Sequence, residues 1–182
     1  MTETDSAERE VLIALCTPFL AEVKDMTPGP KVEAWLNATY GPGSALYRDL
    51  AASIIRGVQA GWAANAEIDG SHYRRSRIAE PSERTFHFSI TAVYMDSRGN
   101  LQGHDDQRLR GQFHGHPYGE FNMVIPLSDG AALNGPNGWC HGGWTAPPPG
   151  SSHYPEAKGG AVIALFFLPS GRIAYFEETR QS

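Results

Sequence analysis

The sequence predicts a mainly β protein, an antiparallel barrel or sandwich, with α-helices confined to its first third. Helical periodicity stops near residue 65. After it, short segments rich in β-branched and aromatic residues alternate with turns that contain Gly and Pro. The chain lacks the alternation of strands with long helices that builds a parallel sheet. We therefore divide it into a helical segment, residues 1–65, and a barrel, residues 66–182, which form one compact unit.

The N-terminal segment has the pattern of three helices. The first is predicted to begin at a capping box of Asp5 and Glu8. Pro18 should kink this helix or restart it with Thr17 as the N-cap. A short second helix follows. The third is capped by Ser44 and carries an apolar stripe at every fourth residue: Leu46, Leu50, Ile54, Val58 and Trp62. Such stripes indicate packing against the sheet or against a second subunit.

The predicted strands are short and are separated by turns. The apolar run near the C-terminus is bounded by Gly and Pro and is too short to span a bilayer, so it indicates a buried strand. It is expected to pair with the following strand in a hairpin across Pro169-Ser170-Gly171. The predicted strands are residues 85–95, 108–116, 120–127, 161–168 and 172–177.

Composition and charge exclude several classes of function. The 182 residues carry a net charge of −5 and no basic block, which argues against binding to nucleic acid or to an anionic membrane surface. The two cysteines, Cys16 and Cys140, lie far apart, so a disulfide framework is not expected. The N-terminus is acidic and lacks the features of a secretion signal. We therefore expect a cytoplasmic protein.

Two histidines and a carboxylate lie close together in the middle of the chain. His114 and His116 are two residues apart, so in a strand their side chains point to the same face. Glu120 follows a Pro-Tyr-Gly turn and can return to that face, and His153 supplies a fourth candidate ligand. Three imidazoles and one carboxylate suit a divalent Fe, Mn, Zn, Ni or Co ion. The alternative is a hydrogen-bonded polar cluster in an empty barrel.

The spacing of these residues resembles the two motifs of the cupin superfamily. His114-x-His116-x3-Glu120 is similar to the first motif. Gly142, five further residues and then 148–153, Pro-Pro-Gly-Ser-Ser-His, are similar to the second. The resemblance implies a cupin-type antiparallel β-barrel (jelly roll) with the N-terminal helices packed on it.

The match to the cupin motifs has two departures. Arg108 stands where the first motif opens with Gly. Leu127 and Ala157 replace the Gly that closes the first motif and the Asn that follows the second motif's His. These positions shape turns rather than bind metal, so the predicted ligands are unaffected.

Residues around the predicted ligands are candidates for substrate binding. One of Arg74, Arg75 and Arg77 is predicted to bind a substrate carboxylate, because a guanidinium group matches that anion with two parallel hydrogen bonds. The alternative is a solvated or salt-bridged surface. Asn122 and Trp144 flank the ligands and are candidates for the wall of an aromatic pocket, although Trp144 could equally be a core residue.

Several segments carry a closer resemblance that begins near residue 44. They resemble the 4-hydroxylaminobenzoate lyase family of bacterial nitroaromatic degradation. The segments are residues 61–65, 73–77, 88–95, 111–120 together with Asn122, 143–147 and 164–169.

This resemblance implies a metal-assisted lyase that converts 4-hydroxylaminobenzoate to 3,4-dihydroxybenzoate with release of ammonia. We interpret Glu120, Tyr118 and His116 as catalytic, with Tyr118 relaying a proton. The expected partner is a small aromatic acid, without nucleic acid or membrane, and the expected assembly is a homodimer. Two alternatives remain open, namely an Fe(II)-dependent cupin dioxygenase that acts on an aromatic acid and a non-catalytic cupin that binds one.

Overall fold

A computed structural model describes residues 1–99 and 108–176. Three helices precede the strands: α1 (Glu3–Val23), α2 (Pro30–Tyr40) and α3 (Ala45–Ala60). Two short 3-10 helices, Glu83–Thr85 and Ser97–Gly99, flank the third strand. No helix of the described residues combines the length and apolar character that crossing a membrane requires.

The strands of the described residues are short apart from two of nine residues each. They are β1 (Ala66–Glu67), β2 (Tyr73–Ala79), β3 (Phe88–Asp96), β4 (Arg108–Arg110), β5 (His114–His116), β6 (Phe121–Pro126), β7 (Ala132–Gly135), β8 (Gly138–Cys140), β9 (Gly143–Thr145), β10 (Ser151–His153), β11 (Glu156–Lys158), β12 (Ala161–Pro169) and β13 (Ala174–Tyr175).

The helices begin and end where local chemistry allows. Thr2, rather than Asp5, caps α1, and Asp5 completes the capping box at the third helical position. The alternative that Pro18 restarts the helix is wrong, because α1 runs through Pro18 to Val23. Ser44 caps α3 as predicted, accepting a hydrogen bond from the Tyr47 amide at 3.2 Å.

The strands form three antiparallel sheets. The largest has the order β1-β2-β3-β12-β6-β9, and the other two have the orders β10-β5-β13 and β4-β11-β7-β8. The helices cover one face of the largest sheet, where Leu12, Leu50 and Ile54 join Leu165 and Phe167 in one fully buried cluster. The predicted class, a mainly β antiparallel fold with N-terminal helices packed on it, is confirmed.

Two predicted strands differ from the structure. The segment 108–116 forms two strands, β4 and β5, which belong to different sheets. The hairpin between β12 and the C-terminal strand is wrong, because β3 and β6 occupy both edges of β12. β13 therefore pairs with β5, and residue 177 of the predicted strand lies outside the described residues.

Candidate functional site

Three histidines converge because of the register of the smallest sheet. His114 and His116 occupy alternate positions of β5, so their side chains lie on the same face. β10 pairs antiparallel with β5 in a register that places His153 directly opposite His114. Cross-strand neighbours of this kind have their side chains side by side. A two-residue spacing and one strand pairing are thus sufficient to assemble three imidazoles.

The imidazole nitrogens lie at close range. His114 Nε2 lies 3.1 Å from His116 Nε2 and 3.1 Å from His153 Nε2. The three potential ligand atoms all lie within 4.8 Å of one another. Glu120 immediately precedes β6, and its Oε2 lies 3.4 Å from His116 Nε2. The three histidines form a compact group of potential ligands, and the carboxylate lies at its edge.

The Nδ1 atoms of His114 and His116 make hydrogen bonds that fix the tautomer of each ring. His114 Nδ1 lies 3.0 Å from the Gln112 carbonyl oxygen, so it must carry the proton and donate. Ser151 Oγ donates to the Pro148 carbonyl at 2.6 Å and therefore accepts from His116 Nδ1 at 3.2 Å. Partners of this kind orient metal-binding histidines in general.

The donor set fits a cation. With the protons on Nδ1, the Nε2 atoms of His114 and His116 face each other as unprotonated lone pairs at 3.1 Å. Two lone pairs at this distance repel unless a positive charge lies beside them. A divalent transition metal satisfies this requirement through neutral imidazoles, its common ligands.

Burial keeps the imidazoles of His114 and His153 in the neutral form that binds metal. Loss of solvation is the main cause that lowers the pKa of His114 below its usual value. The same cause, reinforced by the neighbouring histidines, lowers the pKa of His153 to about 4. Near neutral pH, metal does not have to displace a proton from either ring.

A pocket opens beside the histidines, between the smallest sheet and the face of the largest sheet that is turned away from the helices. Its volume is about 50 Å³. Apolar side chains form much of its wall, and polar groups come from β2, β6 and β13. Its lining includes His114, His153, Glu120, Asn122, Arg75, Tyr73, Tyr175, Ala164, Phe166 and Ile173.

The structure places the three candidate arginines in different surroundings. Arg75 lines the pocket and packs against the Tyr175 ring. Arg77 pairs with Glu80 at 2.9 Å and donates to the Gly171 carbonyl at 3.1 Å. Arg74 lies over the ring of Tyr94, on the other face of β2. Among the three, Arg75 alone belongs to the lining of the pocket.

Asn122 lies in the pocket with an unsatisfied group. Its side chain is buried, and its Oδ1 has no hydrogen-bond partner among the described residues. Asn122 and Glu120 are two residues apart and both line the pocket. Because a buried polar atom without a partner costs free energy, this oxygen is a ready acceptor for a ligand that carries an N–H or O–H group.

Two other predicted residues lie away from the pocket. Trp144 is 1 % exposed and packs against Phe19 on the helix side of the largest sheet, where its indole N–H donates to the Tyr40 carbonyl at 2.7 Å. Tyr118 is 50 % exposed and lines a separate surface groove with Pro28. The turn that carries Tyr118 directs its ring outward while the flanking His116 and Glu120 point inward.

Sequence reasoning missed Tyr73 and Tyr175, which both line the pocket. Burial raises the pKa of each phenol, so both are protonated near neutral pH. Tyr73 could have been predicted from the alternation of side chains along a strand, because it lies two residues before Arg75 and therefore on the same face. Tyr175 gave no such indication, since its position depends on the pairing of β13 with β5.

Comparison with known proteins places this geometry in a family. A family model for PnbB, 4-hydroxylaminobenzoate lyase, matches residues 14–175. The chain is 59% identical over 168 residues to the 4-hydroxylaminobenzoate lyase of Pseudomonas putida, covering 92% of this chain and 96% of that protein. It is 58% identical over 164 residues to the enzyme of the same name from Nocardioides sp. (strain LMS-CY), covering 90% and 92%.

Among solved structures, an RmlC-like cupin protein from Ralstonia eutropha JMP134 is similar with a TM-score of 0.45 and 12% identity, over 64% of this chain and 66% of that one. The sequence relatives, at far higher identity and over nearly their whole length, decide the assignment. The chain belongs to the 4-hydroxylaminobenzoate lyase family.

Proposed function

We propose that this protein converts 4-hydroxylaminobenzoate and one water to 3,4-dihydroxybenzoate and ammonia. The observation that carries the proposal is the family match along residues 14–175, a range that contains every residue lining the pocket. The substrate is a small aromatic acid with a carboxylate at one end and a hydroxylamino group at the other. The pocket offers a cation, Arg75, and a group of three histidines for these two ends.

The reaction needs three events in order. The N–O bond breaks with its electron pair on oxygen, which leaves as water after protonation. Water then adds to the electron-poor ring carbon beside the one that bears nitrogen. The resulting imine is hydrolysed by another water, which releases ammonia and leaves a ring ketone. A proton then moves from the hydroxyl-bearing ring carbon to the ketone oxygen, which restores the aromatic ring. One water leaves and two enter, which gives the net stoichiometry. Oxygen gas takes no part.

Metal ligation is assigned to His114, His116 and His153, with Glu120 as a further ligand at the edge of the group. When bound, a divalent Fe, Mn, Zn, Ni or Co ion would supply Lewis acidity. The close approach of three Nε2 atoms and the hydrogen bonds that fix their tautomers support this assignment.

The chain's own residues account for proton transfer and orientation. Glu120 is buried, and its carboxylate is placed to take a proton from the attacking water. The unsatisfied Asn122 Oδ1 accepts a hydrogen bond from the hydroxylamino group and orients it. The walls from Ala164 and Phe166 limit access of bulk water to the electron-poor ring. Tyr118 is exposed, so it is poorly placed to relay a proton as the sequence predicted. A tyrosine hydroxyl that lines the pocket is the better candidate for this role.

The test is turnover by purified protein under anaerobic conditions. We expect ammonia and 3,4-dihydroxybenzoate in equal amounts, loss of activity with a chelator, and recovery on adding back a single divalent metal. A strict requirement for oxygen would favour the dioxygenase alternative. Tight binding of the substrate without product would favour a binding protein. Full activity of metal-free protein would remove the metal from the reaction.

A further inference from the structure

The pocket beside the histidines is too small to hold an aromatic ring alone. Its volume is about 50 Å³, whereas an apolar cavity that binds benzene in a well-studied case measures about 150 Å³. A groove of about 320 Å³ lies next to it. The two spaces share one wall, formed by Arg75, Phe166, Ile173 and Tyr175. An aromatic ligand whose reactive group reaches the histidines must therefore extend to this wall.

The wall carries a positive charge, the guanidinium group of Arg75. The Arg75 guanidinium stacks on the Tyr175 ring, 4.7 Å from its centroid, and donates a hydrogen bond to the Tyr175 hydroxyl. No ion pair among the described residues includes Arg75. By contrast, Arg77, two residues along the same strand, is paired with Glu80. Arg75 is thus half-buried, stacked on an aromatic ring and without an acidic partner among the described residues, so its charge can bind an anion.

Tyr175 connects this charge to the histidines. β13 pairs with β5 in a register that places Tyr175 opposite His114, and the two rings lie 5.9 Å apart. The guanidinium, the Tyr175 ring and the His114 ring therefore follow one another along one side of the pocket. A ligand along this side has one end at Arg75 and the other at the imidazoles.

We infer that Arg75 and Tyr175 form a carboxylate subsite that selects substrates with an acid group para to the reactive nitrogen. The inference rests on the proposed function for the identity of the reactive group. Arg75 binds the carboxylate with two parallel hydrogen bonds, and the Tyr175 hydroxyl, released from Arg75 or shared with it, donates another. The carboxylate then marks the boundary between pocket and groove, and the para position faces the histidines.

The experiment compares binding of two isosteric probes, 4-hydroxybenzoate and its neutral amide 4-hydroxybenzamide, by calorimetry on the metal-loaded protein. The wild type should prefer the acid. Arg75→Met should raise the Kd of the acid by about 10- to 100-fold, as expected for loss of charge-assisted hydrogen bonds. The Kd of the amide should stay unchanged. Tyr175→Phe should weaken acid binding by about 5-fold.

Arg77→Met is the matched control, because it removes a cation from the same strand and groove and should leave both Kd values unchanged. Arg75→Lys retains the charge but not the planar fork, so it should fall between wild type and Arg75→Met. Metal content and melting temperature of each variant show whether it has folded.

Two results would overturn the inference. One is equal or undetectable binding of acid and amide by the wild type. The other is an equal loss of both ligands in Arg75→Met. Either can occur while the wild type still converts 4-hydroxylaminobenzoate, so the subsite and the reaction are tested separately. Selectivity for the acid in a protein without turnover would support the subsite and reject the reaction.

Discussion

The two faces of β12 have opposite roles, although the strand is a single apolar run. On the helix side, Leu165 and Phe167 are fully buried in the large core with the N-terminal helices. On the other side, Ala164 and Phe166 line the pocket beside the histidines. β6 repeats the pattern, with Met123 toward the helices and Asn122 toward the pocket.

This difference teaches how the fold separates stability from chemistry. Successive side chains of a strand point to opposite faces, so each face can be filled independently. Large side chains fill the helix face, whereas on the other face the small Ala164 and the polar Asn122 leave room for a pocket beside a smaller buried cluster. Substitutions on the helix face should change the free energy of unfolding, and those on the pocket face should change binding and turnover.

Among the variants that test this comparison, Phe167→Ala should have the largest effect on the free energy of unfolding. The variant leaves a cavity in contact with Phe19 and Trp144, and we expect it to lower the free energy of unfolding by about 3–5 kcal/mol. That corresponds to a fall of about 10 °C in melting temperature for a chain of this size. Urea unfolding of the metal-loaded protein measures it.

The contrasting variant on the same strand is Ala164→Val. Its side chain lies in the smaller buried cluster that also lines the pocket, so the added methyl groups should lower the free energy of unfolding by about 1–3 kcal/mol, less than the Phe167 cavity, while weakening ligand binding. Equal destabilisation by the two variants would show that the faces are not independent.

The next prediction concerns metal content and turnover, which depend on the pocket side of the sheet. His153→Ala removes one of the three converging nitrogens, and we expect metal content to fall to background. Turnover should drop about 10³-fold, since Lewis acidity is worth several kcal/mol and each 1.36 kcal/mol is a factor of ten. Elemental analysis and the ammonia assay measure the two quantities.

His141→Ala is the control for this variant, because His141 is exposed in the loop after β8. It should retain both metal and activity. Unchanged turnover of His153→Ala at background metal would contradict the proposed role of the histidines.

A smaller effect should follow from Glu120→Gln. The amide has the shape of the carboxylate but cannot take a proton, so kcat should fall about 10²-fold, within the usual range for a general base. Metal content should change little, because the three histidines form the compact ligand group. Loss of metal with kcat unchanged per metal bound would show that Glu120 acts only as a ligand and has no role as a base.

The sequence was most informative where a motif and a strand period act together. His114, His116 and His153 converge because a two-residue spacing sets their face and one strand pairing sets their approach. The capping residue of α3 and the strands β3, β6 and β12 were also predictable, since caps and runs of β-branched and aromatic residues are local features. Trp144 was not, because an aromatic residue on a strand can face either side of the sheet, and its choice depends on the packing of Phe19 from α1.

By itself, the sequence determined the fold class, the family and the group of candidate metal ligands, because each depends on residue types at short or fixed spacings. Only the tertiary structure decided that Arg75, and neither Arg74 nor Arg77, enters the pocket, and that Tyr175 joins it. The physical reason is long-range pairing. β3 and β6 occupy both edges of β12, so the C-terminal strand must pair with β5, and that register brings a tyrosine from the end of the described chain beside the histidines.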